Sequence, residues 1–292
     1  MGEIQLRDIS TWERIGYGGK STLEKEELIA PSTNEKYLIK YPRQFQVGVS
    51  WEDITELIAA DIGELIGLRM MDVEIVLRHE KRGSLLKNFI PNNVMNEEGG
   101  ALLSMLDGYE EFINSSLKGH ELIEQGFHFI KQLYFWEQIK EDFINMNYFD
   151  ILIGNQDRHP YNWLILFEST KKQTFSPIYD NGASLGFRFD DSQLVNHIKD
   201  NLLLEKYIRK STVKAGLFEK KKVQASEMIQ YLNMHYKQES EPIIKRIKSF
   251  DFHQFYKKIE VYDILSNTQK EWLKLIVSHR RESILKWLRE EE

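Results

Sequence analysis

The apolar residues of this chain change their period partway along it, and that change limits what it can fold into. Before "PNNVMNEEGG", residues 91–100, they fall mostly in short alternating runs; beyond it they recur at helical spacing. "TWERIGYGGKSTLEKEELIA" reads as strand, Gly-rich turn, strand, and "KYLIKYP", 36–42, alternates until Pro42 ends it. "SWEDITELIAADIGELIGL", 50–68, is the one marked helix of this half. Its apolar stripe is Ile54, Leu57, Ile58, Ile62, Leu65 and Ile66; Ser50 is the expected N-cap, with Asp53 in the first turn and Gly67 as C-cap. "DVEIVLR", 72–78, reads as a strand, with Arg82-Gly83 turning the chain into "SLLKNFI". "PNNVMNEEGG" reads as a polar linker.

Past the linker the pattern predicts helix over about 121–153, broken near Gly126, then two short strands, "WLILF" and "FSPIYD", then four or five amphipathic helices from about residue 191. The last of these should start at an N-cap on Asn267 or Thr268. The expected architecture is α+β: a small β-rich lobe with one helix, residues 1–90, and a larger, mainly helical lobe, residues 91–292.

Several function classes recede on composition. A formal net charge of -6 argues against a dedicated nucleic-acid binder, whose footprint is basic. The chain has no cysteine, which rules out disulfides and thiolate metal sites. No apolar run approaches the ~20 residues of a membrane span, and "MGEIQLRDIS" lacks the basic-then-apolar pattern of a secretion signal. A soluble, cytoplasmic protein is expected.

The strongest local feature is "GNQDRHPYNWLIL", 154–166, a polar cluster between segments that read as core. Asp157 with Asn162 five positions later is the spacing of a phosphotransferase loop, in which the Asp takes a hydroxyl proton and the Asn binds magnesium. The metal needs a second oxygen ligand, and Asp180 in "SPIYDNGASLG" supplies one. A hairpin of the two flanking strands would bring Asn162 and Asp180 side by side. Either motif alone is as readily a helix cap or a plain turn; their pairing across a hairpin favours a site.

Lys40 lies mid-strand, where a bare ammonium is costly to bury, so a carboxylate partner is expected on the next helix: Glu56, or Glu52 one turn earlier. "IGYGGKST", 15–22, would cover phosphates with backbone N–H groups of Gly16, Gly18 and Gly19, although it lacks the spacer of a Walker A loop. Arg158 either aids the transferred phosphate or pairs with a nearby acid, and His159 braces the loop by hydrogen bonding.

On "YLIKYP", "TELIAADIGELIGLRMMDVEIV", "LIGNQDRHPYNWLI" and "SPIYDNGASLG", the chain resembles the HipA-like serine/threonine kinases. Asp157, His159 and Asn162 match the family's catalytic loop and Tyr179-Asp180 its metal-binding step, which places the family's helix glutamate on Glu56. The resemblance implies a bilobal protein-kinase-like fold, ATP and Mg2+ as cofactors, and a nucleotide hinge in "LLKNF", around Lys87 to Phe89. It also implies a protein substrate, such as a component of translation, an antitoxin partner, and autophosphorylation at Ser21 or Thr22 of the Gly-rich loop. Few residues precede that loop, which is the pattern of the short HipT and CtkA types. A small-molecule kinase of the aminoglycoside type usually has a His where Asn155 stands, and a lipid kinase would need "KYIRKSTVKAGLFEKKK", 206–222, as a membrane-facing surface. A kinase-fold binding protein would be marked by a lost metal ligand.

Overall fold

The computed structural model describes residues 6–18, 23–45, 48–169 and 171–289. The first elements are β1 (Arg7–Asp8), β2 (Glu13–Gly16), β3 (Lys25–Ile29), β4 (Lys36–Lys40), β5 (Gln44–Phe45), β6 (Gly48–Val49), α1 (Glu52–Leu65), β7 (Val73–Arg78) and β8 (Lys81–Lys87). Six of these strands form one sheet in the order β1-β7-β8-β4-β3-β2. Among the described residues of this sheet, only the β1–β7 pair is parallel.

The two-residue period of the strands divides this sheet into a packed face and an open face. Ile9, Leu28, Ile39, Tyr41, Val76 and Leu85 meet in a small core. Their neighbours Glu27, Leu38, Lys40, Ser84 and Leu86 face a cleft instead. Lys40 therefore escapes the core because Ile39 occupies it.

The β7–β8 turn is not at Arg82-Gly83. Arg78 pairs with Lys81, so the loop is His79-Glu80, with φ of 48° and 64° as a tight hairpin requires. Gly83 lies inside β8, where a Cβ would sit 2.7 Å from the Lys40 carbonyl oxygen; glycine lets β4 approach. Helix α1 matches expectation in extent. Its N-cap by position is Trp51, while the Ser50 hydroxyl still accepts the Glu52 N–H at 3.2 Å. The C-cap by position is Ile66, with left-handed Gly67 just beyond.

The remaining elements are β9 (Met95–Glu98), α2 (Gly99–Ser104), α3 (Tyr109–Asn114), α4 (Gly119–Ile130), α5 (Trp136–Ile153), β10 (Leu164–Ser169), β11 (Lys172–Phe175), α6 (Asp191–Lys199), α7 (Asn201–Arg209), β12 (Thr212–Val213), β13 (Val223–Gln224), α8 (Ala225–His235), α9 (Lys237–Lys248), α10 (Phe252–Glu260) and α11 (Asn267–Trp287). Part of the expected linker is thus a strand: β9 pairs with β10 in a sheet ordered β11-β10-β9. Helix α4 runs through Gly126, which packs against Phe218, and the helical pattern breaks after Ile130. Among the described residues six helices lie from residue 191 onward, and the last is capped by Ser266, whose hydroxyl accepts the Gln269 N–H. Only the start of "FSPIYD" is strand; Ile178 bridges Met70 in parallel instead.

A second, larger core joins these helices, with α5 at its centre and α1 packed onto it through Ile54, Ile58 and Ile62. Polar contacts also fasten α1 to the helical body. Asp61 accepts from Lys258 at 2.5 Å and from Tyr262 at 2.7 Å, and Arg246 donates to the Gly67 carbonyl at 3.0 Å. The helix carrying Glu56 is consequently held against both bodies.

Candidate active site

The cleft between the sheet's open face and the helical body has a volume of about 1290 Å³. Lys40 and Glu56 line it from one side; Asp157, His159, Asn162 and Asp180 line it from the other. Lys87 and Phe89 lie along the same cleft.

Two loops at the open end of the β10–β11 hairpin, one entering β10 and one following β11, carry the acidic wall. The first leaves α5 at left-handed Gly154 and ends where β10 begins. Asn155 shapes it from below: its Nδ2 donates to Asp150 Oδ1 at 3.0 Å, while its Oδ1 accepts the Asp157 N–H at 2.9 Å. Asn162 donates its Nδ2 to the Asp157 carbonyl at 2.9 Å, which leaves its amide oxygen for a cation. His159 Nδ1 accepts the Tyr161 N–H at 3.2 Å and so braces the turn. Burial holds the His159 imidazole below its usual range, against the pull of Asp157.

The second loop is "YDNG". Asp180 has a φ of 59°, a left-handed conformation that Asp tolerates better than most residues. Arg158 links the two loops. It is fully buried, bonds Asp150 and Asn181 Oδ1, and also donates to the carbonyls of Asn162 and Tyr179. Of the two roles open to Arg158, this geometry gives it the structural one.

The predicted Lys40–Glu56 pair is replaced by another arrangement. Lys40 Nζ lies 2.6 Å from Asp180 Oδ1. Glu56 instead accepts the N–H groups of Asn181 at 2.8 Å and Gly182 at 2.9 Å, and the Asn181 side-chain amide at 3.3 Å. A buried carboxylate has found three donors in the turn that follows Asp180, and the ammonium has gone to the nearest free oxygen. Burial alone would raise the Asp180 carboxyl, but Lys40, joined by Arg158 and His159, holds the group below the usual carboxylate range. Burial pushes Glu56 up, partly offset by Lys40. Glu52, the other candidate, turns to Arg43 at 3.6 Å.

The hinge expectation needs the same refinement. The Lys87 and Asn88 N–H groups are committed to the carbonyls of Asp72 and Lys36, so they do not face the cleft as free donors. The Lys87 side chain pairs with Glu35 at 2.6 Å, and the Phe89 ring lies 5.6 Å from that of Tyr179. Gly16 ends β2 beside Glu27, and Gly18 lies against Leu38 and Lys25. Gly19, Ser21 and Thr22 lie outside the described residues.

The structure adds residues the sequence reading missed. Asp150 was detectable, because one carboxylate within "FDILIG" requires a buried partner. Asn181 sits inside "YDNG", where its turn-forming character hid its contact with Arg158. Lys214, which donates to Asp157 Oδ1 at 2.6 Å, has no local signal at all.

The donor set suits magnesium. Asp180 and Asn162 offer a carboxylate and an amide oxygen, and an ion of this kind completes its shell with phosphate and water. Among the described residues no group of three or more His, Asp or Glu side chains gathers for a metal. Among the described residues, too, no helix is long and apolar enough to cross a membrane.

The Helicobacter pylori proinflammatory kinase CtkA matches with a TM-score of 0.78 at 20% identity, over 98% of each chain. HipA of the Shewanella oneidensis MR-1 toxin–antitoxin system, solved with HipB and operator DNA, matches with a TM-score of 0.53 at 14% identity, over 97% of this chain and 68% of that one. At these identities the likeness establishes a kinase-like, bilobal α+β fold. A comparison with curated proteins found no match. The sequence model of the HipA-like C-terminal domain matches residues 15–233, most of the chain, and the protein therefore belongs to the HipA-like family.

Proposed function

We propose that this protein is an ATP- and magnesium-dependent kinase that phosphorylates serine or threonine in a protein acceptor. One observation carries the reading: Asp157 and Asn162 from one loop, Asp180 from a second and Lys40 from a strand converge on one cleft, with Lys40 and Asp180 already in contact at 2.6 Å. Residues 1–90 would close over the nucleotide, and residues 91–292 would hold the acceptor.

Each residue has a task in this reading. Asp157 orients the acceptor hydroxyl and takes its proton. The hydroxyl oxygen bonds the γ-phosphorus, the bond from that phosphorus to the bridging oxygen breaks, and ADP leaves with the electron pair. Lys40 holds the α and β phosphates. Glu56 keeps the Asp180 turn in place, and His159 and Arg158 keep Asp157 and Asn162 in register with it. Asn162 and Asp180 would hold magnesium, which would supply charge neutralisation on the phosphates. Positioning and charge are nearly all that phosphoryl transfer asks of a protein.

The family and the Shewanella neighbour, solved with HipB, support an antitoxin partner and a growth-arresting role. A lipid substrate fits less well. The basic stretch 206–222 turns Lys214 onto Asp157 and Lys221 onto the Ser115 carbonyl, at 2.6 Å each, so neither lysine faces a membrane.

Calorimetric titration with ATP, with and without magnesium, tests the nucleotide half of the proposal. Phosphoproteomics after controlled expression, wild type against Asp157→Asn, tests the acceptor half. Transfer that survives Asp157→Asn removes the base assignment, and normal magnesium-ATP binding by Asp180→Ala removes the metal assignment.

A further inference from the structure

Lys214 sits on the proposed base, and the local fold is built to hold it there. The short β12–β13 pair anchors the segment through Val213 and Val223, both buried and directly opposed. Immediately past Lys214 the chain takes two left-handed residues, Ala215 at φ 57° and Gly216 at φ 68°. A left-handed alanine costs about 1–2 kcal/mol, so this turn is maintained by its surroundings. Those surroundings are the loop of Asp157 itself. The Gly216 N–H donates to the Arg158 carbonyl at 2.7 Å, and the Gly216 carbonyl accepts Trp163 Nε1 at 2.8 Å.

The side chain is equally constrained. Lys214 Nζ lies 2.6 Å from Asp157 Oδ1, with the lysine side chain 13% exposed and the aspartate 47%. Ordering a lysine costs up to about 2 kcal/mol of rotamer freedom, which a rim salt bridge seldom returns. An ammonium has three donors. One is used on Oδ1, two remain, and Oδ2 is left for the acceptor hydroxyl.

We propose that Lys214 is a catalytic residue: its ammonium bridges Asp157 Oδ1 to an oxygen of the transferring phosphoryl group. The inference rests on the kinase reading above. In the transfer step the acceptor oxygen–phosphorus bond forms and the bond from phosphorus to the bridging oxygen of ADP breaks. The hydroxyl proton passes to Asp157 Oδ2, and Lys214 stays protonated throughout. Its charge offsets the negative charge spread over the equatorial oxygens, and its two-sided contact aligns hydroxyl with phosphorus. Lys40 contacts Asp180 and Lys214 contacts Asp157, so the two lysines act on different parts of the same reaction.

The test uses the full chain and reads kcat, KM for ATP and calorimetric magnesium-ATP affinity together. Lys214→Met is expected to lower kcat about a hundredfold, as loss of one preorganised donor to a developing charge does. Magnesium-ATP affinity should stay at the wild-type value, which also reports an intact fold. Lys214→Arg should recover part of kcat, because a guanidinium can make both contacts. Lys222→Met is the control, since Lys222 flanks the same β12–β13 pair and feels the charges of Lys214 and Asp157, whereas Lys214 is the lysine bonded to Asp157. If Lys214→Met does not bind magnesium-ATP, Lys214→Gln, which keeps one donor, is read in its place against the same expectation.

Wild-type kcat in Lys214→Met overturns this inference and leaves the kinase reading standing. So does a rise in kcat, which would make the pair a lock on the base. An equal loss in Lys222→Met would assign the effect to the charge of the patch and not to Lys214. A wild-type chain that binds no magnesium-ATP, or binds it and transfers no phosphate, removes the kinase reading and this inference together.

Discussion

Arg158 and Asp150 form a two-pronged ion pair sealed from solvent beneath the loop of Asp157, with Nε 3.0 Å from Oδ2 and Nη2 3.0 Å from Oδ1. The same guanidinium bonds groups on both site loops, at Asn162, Tyr179 and Asn181. Replacing it with Met strands the Asp150 carboxylate in the core. Breaking a buried pair from one side costs about 3–5 kcal/mol, so Arg158→Met should lower Tm by on the order of 10 °C. The double variant Arg158→Met with Asp150→Asn should recover part of that loss, because no buried charge remains. Thermal denaturation of the three proteins measures it; a single variant as stable as wild type would show that the pair contributes nothing.

Much of this site was legible because its chemistry is local. Asp157 and Asn162 share one loop, Asp180 sits in a turn with its own sequence signature, and strand alternation alone turns Lys40 away from Ile39 toward the cleft. What sequence misplaced was set by tertiary contact. His79-Glu80 forms the β7–β8 turn without glycine, while Gly83, which looked like the turn, is needed for the close approach of β4. Strand β9, with four exposed side chains, shows no buried face to give it away; the edge of β10 recruits it. Charge complementarity correctly demanded a carboxylate partner for Lys40. It could not show that the N–H groups of Asn181 and Gly182 would take the glutamate and leave the lysine to Asp180.

That exchange of partners gives a discriminating prediction. Glu56 Oε1 accepts both Asn181 donors, and Oε2 accepts the Gly182 N–H. Glu56→Gln can keep the Asn181 bonds, whereas Glu56→Ala loses all three and leaves buried donors unpaired, at about 1–3 kcal/mol for each unpaired group. Glu56→Ala should therefore weaken magnesium-ATP binding and stability well beyond Glu56→Gln. If the glutamate acted through its charge on Lys40, the two variants would be equally impaired. Calorimetry and Tm on the pair decide between these roles.

Gly154 couples the end of α5 to a buried cation. Its φ is 67°, and a Cβ there would overlap the guanidinium of Arg280, which is 2% exposed and lies 5.4 Å from the centre of the Tyr207 ring. Arg280 also donates to the Ile151 carbonyl at 3.4 Å, which suits a cation at the negative end of a helix. Gly154→Ala should cost about 1–2 kcal/mol for the left-handed backbone and more for displacing Arg280. In an Arg280→Leu background only the backbone cost should remain, a coupling that a double-mutant cycle measures. Additive losses would mean that the guanidinium yields freely.

His159 should make stability depend on pH in a known direction. Burial lowers its folded-state pKa from the ordinary 6.5, and the Tyr161 N–H bonded to Nδ1 needs the unprotonated ring. Well above pH 6.5, at pH ~8, folded and unfolded chains both carry the neutral imidazole, so this residue adds no pH dependence there. As pH falls below 6.5 the unfolded chain takes up the proton first, and stability declines until the folded imidazole protonates too. His159→Asn should remove that part of the acid-side slope while leaving stability near pH 8 little changed, since the Asn carbonyl can accept the same N–H. Denaturant unfolding from pH 8 to 5, with an NMR titration of the His159 ring, measures both the slope and its origin. A ring that titrates at 6.5 would abolish this contribution and one that titrates above 6.5 would reverse its sign; either would assign the bracing of this loop to its backbone alone.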